Sequence, residues 1–226
     1  MGKTVEKIIT ACKRCGTCCN KGGPGLHRED LPLVENGTLL LKHLYTIRMG
    51  EPAQDNLTNE ILPSATDIIK IKSKNDSPAC IFYDENQSSC TIYVHRPAEC
   101  RALKCWDTRD IEAIYTQNRL TRNDIMGDIE GLWELVADHQ KRCSFEEVLI
   151  FSNCIKRRKK IGPELENKVR YMIQYDLEIR SLVQREGNID SEMIDFLFGR
   201  PMITTLKSLG MNVRSQNGKI ILVPPV

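Results

Sequence analysis

The sequence has no apolar run approaching the roughly 18 residues that a bilayer-spanning helix needs, so no membrane segment is expected. Met1-Gly-Lys-Thr-Val-Glu-Lys carries charge without a following apolar stretch, which excludes a secretory signal in that segment. Glu6 occupies the position where N-myristoylation wants Ser or Thr. Also missing are an H-E-x-x-H pair, a Gly-rich phosphate loop and a nucleophile–base motif, the usual marks of hydrolytic and nucleotide-dependent sites. A large excess of charge of either sign is missing too. Thirty-two Lys and Arg face 30 Asp and Glu, a formal +2, so the overall balance argues neither for nor against a nucleic-acid partner. No internal repeat or low-complexity tract is present.

Cysteine, by contrast, is abundant. Ten occur in 226 residues, and without an export signal they point to a reducing compartment, the cytoplasm, and to metal rather than disulfides. The 41% hydrophobic content is ordinary for a globular chain and supplies a core without covalent staples. Four thiols fall within eight residues, Cys12-Lys-Arg-Cys15-Gly-Thr-Cys18-Cys19. Consecutive side chains cannot all face one core, but they can surround a cation, and thiolate is a preferred ligand of zinc and iron–sulfur clusters. The glycines of residues 20–25 permit positive φ, and suit either a plain turn or close approach of N–H groups to sulfur.

A second group comprises Cys80, Cys90, Cys100 and Cys105. Its intervals of nine, nine and four residues are not finger-like; its weight comes from the first group, whose ligand set it can complete. Cys80–Tyr83 and Cys90–Tyr93 read as a small hairpin across the polar loop 84–89. Elsewhere, Thr38–Met49 reads as a helix with Leu40, Leu41, Leu44 and Ile47 on one face, and a polar connection follows to about Ser64. Asp67–Lys72 reads as a strand. From Thr108 the pattern is helical: 108–117, 123–128, 130–141, a helix begun by the capping box Ser144-Phe-Glu-Glu147 and reaching about Arg158, a long helix over Glu164–Glu186, then 190–198 and 201–209. Asn217-Gly218 signals a terminal hairpin.

Cys12, Cys15, Gly16, Cys18, Cys19, Cys80, Phe82, Cys90, Ile92, Tyr93, Arg96, Pro97, Cys100 and Arg101 together resemble the CxxCxxCC, or YkgJ-type, cysteine-cluster family, described as zinc- or iron-chelating. The match covers about residues 12–106. Flagellin lysine methylases look similar across the same cysteines, so a protein-modifying enzyme enters by analogy. Relatives follow C-R with an apolar pair ending in proline; here Arg101-Ala-Leu-Lys-Cys105-Trp106 adds an eighth thiol, which leaves the ligand count open.

These readings give a mainly α-helical α+β fold. Residues 1–106 are a cysteine-rich metal module with a small β-hairpin, and residues 107–226 a helical region with a C-terminal hairpin, packed with the first as one unit. Cys12, Cys15, Cys18, Cys19, Cys80, Cys90, Cys100 and Cys105 form the ligand pool for a 4Fe–4S cluster or for one or two Zn2+ ions. The centre would serve electron transfer, cofactor handling or structure. A protein-modifying enzyme and a structural zinc module for a protein partner are the alternatives. Arg96 and Arg101, within the matched motif, are expected to pair with Asp84, Glu85 or Glu99, or to donate to a sulfur. Lys13, Arg14 and Lys104 read as solvated charges. Cys143, Cys154 and His139 read as core residues, and among the remaining histidines only His95 is a ligand candidate. Lys156-Arg-Arg-Lys-Lys160 reads as a solvated helix end rather than a nucleic-acid patch.

Overall fold

The computed structural model describes residues 11–157, 159–187, 189–216 and 219–223. The protein is α+β, with a helical body and small hairpins towards both ends. After the cysteine loop, helix α1 (Leu31–Glu35) leads to strand β1 (Leu44–Ile47), β2 (Pro52–Gln54), β3 (Ile61–Pro63) and β4 (Ile68–Ile71). The two-residue strands β5 (Tyr83–Asp84) and β6 (Ser89–Cys90) follow, then helices α2 (Ala98–Ala102), α3 (Arg109–Ile114) and α4 (Arg122–Met126). The body comprises α5 (Leu132–Arg142), α6 (Phe145–Lys156), α7 (Pro163–Glu186), α8 (Ile194–Phe198) and α9 (Met202–Ser208), closed by β7 (Asn212–Gln216) and β8 (Lys219–Val223). β7 and β8 pair antiparallel as a hairpin, while its Asn217-Gly218 turn lies outside the described residues.

Two stretches depart from the sequence reading. Thr38–Met49 is a 3₁₀ turn at Leu41–His43 followed by β1, not a helix. Leu44 and Thr46 face inwards in strand alternation, and the antiparallel register Leu44↔Ile71 through Ile47↔Ile68 satisfies the backbone. Four apolar residues at helical spacing are too short a run to tell a helix from a buried strand, and Tyr45, Thr46 and Ile47 favour the pleat. The polar connection to Ser64 contains the β2–β3 hairpin, turned by Asp55, whose Oδ1 accepts the N–H groups of Leu57 (2.7 Å) and Thr58 (3.0 Å). Ser144 caps α6 by accepting the Glu146 N–H at 3.2 Å.

One apolar cluster joins Leu26, Leu44, Ile69, Ile71, Cys80 and Tyr83 to Leu120, Val136, Ile179 and all but one residue of α8. The other packs α6 and α7 against α9 and β8 through Phe145, Phe151, Ile173, Met202 and Ile220. Between them runs a buried polar seam. Arg122 forks onto Asp67 (2.7 and 3.0 Å) and the Leu197 carbonyl (2.7 Å). Asp176 accepts from His139 (2.8 Å), Arg180 (2.9 Å) and the Met202 N–H (3.0 Å). Fully buried Arg48 donates to the Cys143 carbonyl at 3.0 Å and lies over the Phe145 ring. Among the described residues, no helix is long and apolar enough to cross a membrane.

Candidate metal centre

The first cysteine loop is shaped by Gly16, which adopts φ +75°. A Cβ there would lie 1.9 Å from the Tyr83 hydroxyl oxygen, so only glycine allows the loop to close on the β5 side chain. The Asn20 N–H returns to the Gly16 carbonyl (2.9 Å), setting Cys18 at the start of a 3₁₀ turn over Cys19–Lys21. The Cys18 and Cys19 sulfurs are 3.9 Å apart. Arg14, read as a solvated charge, is exposed and also stacks on Tyr93 with 4.2 Å between its Cζ and the ring centre, and Arg96 stacks on the same ring at 3.8 Å.

The second cysteine region meets this loop directly. The Cys80 N–H donates to the Cys19 carbonyl at 2.8 Å, and Cys80 also pairs with Ser73 just beyond β4. Cys90 sits opposite Tyr83 in the β5–β6 ladder. Cys100 is carried by α2, whose first N–H, that of Ala98, is held by the buried carboxylate of Asp30 (2.8 Å).

Electrostatics report the convergence. Burial pushes the Cys19 thiol up to about 12, and repulsion from Cys18, Cys80 and Cys90 adds to it. Burial also raises Cys100 strongly, reinforced by Cys80, Cys19, Cys90 and Cys18. Cys80 moves up for the same first reason, with Cys90 and Cys18 contributing. Five sulfurs drawn from both regions therefore lie within electrostatic reach of one another. Cys12, Cys15, Cys18 and Cys105 are exposed. Cys15 accepts help from Thr17, 3.3 Å away, which holds its thiol below the ordinary value.

Among the described residues, no three Cys, His, Asp or Glu side chains are already arranged to hold one ion. The donor set nevertheless fits a thiophilic centre. Burial and repulsion make Cys19, Cys80 and Cys100 resist ionisation, and a bound cation supplies the positive charge that reverses this and releases their protons.

Arg96 and Arg101 do not take the partners foreseen for them. Arg96 donates to the Tyr93 carbonyl (2.9 Å), and Arg101 pairs with Glu29 (2.7 Å) and the Arg96 carbonyl (2.5 Å). Lys74 takes Glu85 (3.0 Å), and Arg119 takes Glu99 (2.5 Å). His95 is exposed, while Cys143 is fully buried with its sulfur 3.5 Å from the Met172 carbonyl. The sequence reading missed His27, Asp30, Lys70 and Arg119, which carry no motif and reach the cysteine region only through folding. Burial alone would raise the Glu99 carboxyl, but His27, Arg119 and Lys70 together hold it down at about 2. Lys70, its own ammonium pushed down by burial, faces Glu99 and Arg119 and then the Cys100 and Cys80 thiols.

A scaffold that gathers soft donors from two separated segments is the architecture of a metal-chelating domain. The CxxCxxCC family, described as "Putative zinc- or iron-chelating domain", matches residues 11–123, and the chain belongs to it. That match runs past Trp106 to include Arg119. No curated protein and no solved structure matches the chain.

Proposed function

We propose that this chain holds its metal through thiolates from both cysteine regions, as a 4Fe–4S cluster, with one or two Zn2+ ions as the other occupant the donor set accepts. The ligand pool is Cys12, Cys15, Cys18, Cys19, Cys80, Cys90, Cys100 and Cys105. Cys18, Cys19, Cys80, Cys90 and Cys100 form its centre, and the exposed Cys12 and Cys15 loop folds over it when metal binds. The observation that carries this reading is the meeting of the two cysteine regions, with the Cys80 N–H on the Cys19 carbonyl at 2.8 Å and the Cys18 sulfur 3.9 Å from that of Cys19, a gathering of thiols whose mutual repulsion a cation relieves.

Metal bound this way serves electron transfer, cofactor handling or the stability of the cysteine module in the cytoplasm. Residues 1–106 act as the module and 107–226 as its helical support. Anaerobic purification with a visible spectrum and metal analysis tests the reading. A broad absorption near about 400 nm with iron and sulfide identifies the cluster, since thiolate-bound iron–sulfur centres absorb there and zinc does not. Colourless protein with stoichiometric zinc moves the assignment to zinc. Protein free of both metals after reconstitution would contradict it.

A further inference from the structure

Cys100 sits beside an ion-paired clamp that belongs to neither cysteine motif. Glu99 accepts the Gly25 N–H at 2.7 Å through one oxygen and Arg119 Nη1 at 2.5 Å through the other. His27 Nε2 lies 3.6 Å from that second oxygen and 3.3 Å from Arg119 Nη1, while its Nδ1 contacts the Gln117 carbonyl at 2.7 Å. Asp30 accepts the His27 N–H (2.9 Å) with one oxygen and the Ala98 N–H of α2 (2.8 Å) with the other. All four side chains are buried or nearly so.

The clamp spans three strands of chain. Residues 24–28 run between β4 and residues 118–120, through Gly25↔Lys70 and Leu26 N–H to Ile69 O (2.8 Å) on one side, and His27↔Arg119 and Leu120 N–H to Leu26 O (3.0 Å) on the other. The first strand continues directly from the Cys19 turn. β4 leads to the Ser73–Cys80 bridge. Glu99 then fastens α2, and with it Cys100, onto the same frame. Gly25 makes this possible, because a Cβ there would stand 2.4 Å from Arg119 Nη1 and 3.0 Å from the Glu99 carboxylate.

We propose that Glu99, Arg119, His27 and Asp30 are positioning residues for the metal centre: they preset Cys100 against Cys19 and Cys80 before metal enters. This rests on the thiolate reading above. The reason for a carboxylate–guanidinium lock is geometric, since a bidentate acid joins a backbone N–H and a planar cation at fixed angles. Outer partners of this type, when lost, typically cost about 10- to 100-fold in metal affinity.

The test is an anaerobic Zn2+ titration of the full chain against a chromophoric chelator, with Co2+ substitution to record the sulfur-to-cobalt absorption. Glu99→Gln and Gly25→Ala should each bind Zn2+ about 10- to 100-fold more weakly than wild type, with an altered cobalt spectrum and unchanged far-UV circular dichroism. Gly25→Ala removes no charge and serves where Glu99→Gln fails to fold. Arg119→Ala should lose affinity, and Arg119→Lys should recover only part of it, since Lys restores the charge but not the planar fork. Wild-type affinity and spectrum in folded variants would overturn the clamp's role alone. Loss of folding in every variant would overturn it by making these residues scaffold only. A wild-type chain that binds neither Zn2+ nor Co2+ would overturn the thiolate reading and the clamp with it.

Discussion

His139 shows how far a single residue's chemistry can depart from its appearance in the sequence. It continues an apolar stripe on α5 and is fully buried, as that stripe implies. Its Asp176 partner lies 37 residues away, so the hydrogen bond between them was not legible. Burial holds the imidazole down at about 4, against an ordinary 6.5, although the hydrogen bond to Asp176 resists this. The folded ring is neutral, donating from Nε2, with Nδ1 unpartnered. Because the folded value is depressed, the unfolded chain takes the proton first as pH falls. The His139 contribution is complete above about pH 6.5 and is lost on the way down to about pH 4, and Asp176, also held below its ordinary value, acts in the same direction. Between pH 7 and 5 wild type should lose on the order of 2 kcal/mol more stability than His139→Asn in urea unfolding. Parallel pH profiles for the two proteins would refute this. Gly16 is the other decisive residue. Gly16→Ala forces a side chain into both a positive φ and the Tyr83 ring, so it should destabilise the loop by at least about 1–2 kcal/mol and weaken metal uptake. Thermal melts with metal analysis check it, and an unchanged variant would show that the loop closes differently.

At the scale of elements, helices were read more accurately than strands. α6, α7 and α9 carry caps, a leading proline or a closing glycine that local chemistry makes visible. β1 was mistaken for helix because its partner, β4, stands more than twenty residues away, and pairing decided the outcome. β2 and β3 gave no periodic signal, since all three residues of β3 are exposed and none alternates inwards. What locks β4 to the body is the Asp67–Arg122 fork immediately before it. Arg122→Ala leaves the Asp67 carboxylate buried without its cation, a change that typically costs about 3–5 kcal/mol. The urea midpoint of that variant should fall accordingly. A loss below about 0.5 kcal/mol would show that the fork is not holding the strand.

For the molecule as a whole, the meeting of two distant cysteine regions was the most legible feature, because closely spaced thiols have few other uses in such a chain. The frame that makes them meet was not legible. It depends on Gly25, Lys70, Glu99 and Arg119, four residues of ordinary type whose relation exists only after residues 24–28 insert between β4 and residues 118–120. The most direct measurement is metal content per chain, anaerobically, for wild type beside Cys19→Ser and Cys100→Ser, one sulfur from each region. If both regions feed one centre, each substitution should remove or severely weaken the same metal complement and the same absorption. A Cys100→Ser protein that keeps the full wild-type metal content and spectrum while Cys19→Ser loses both would contradict the convergence on which the whole account stands.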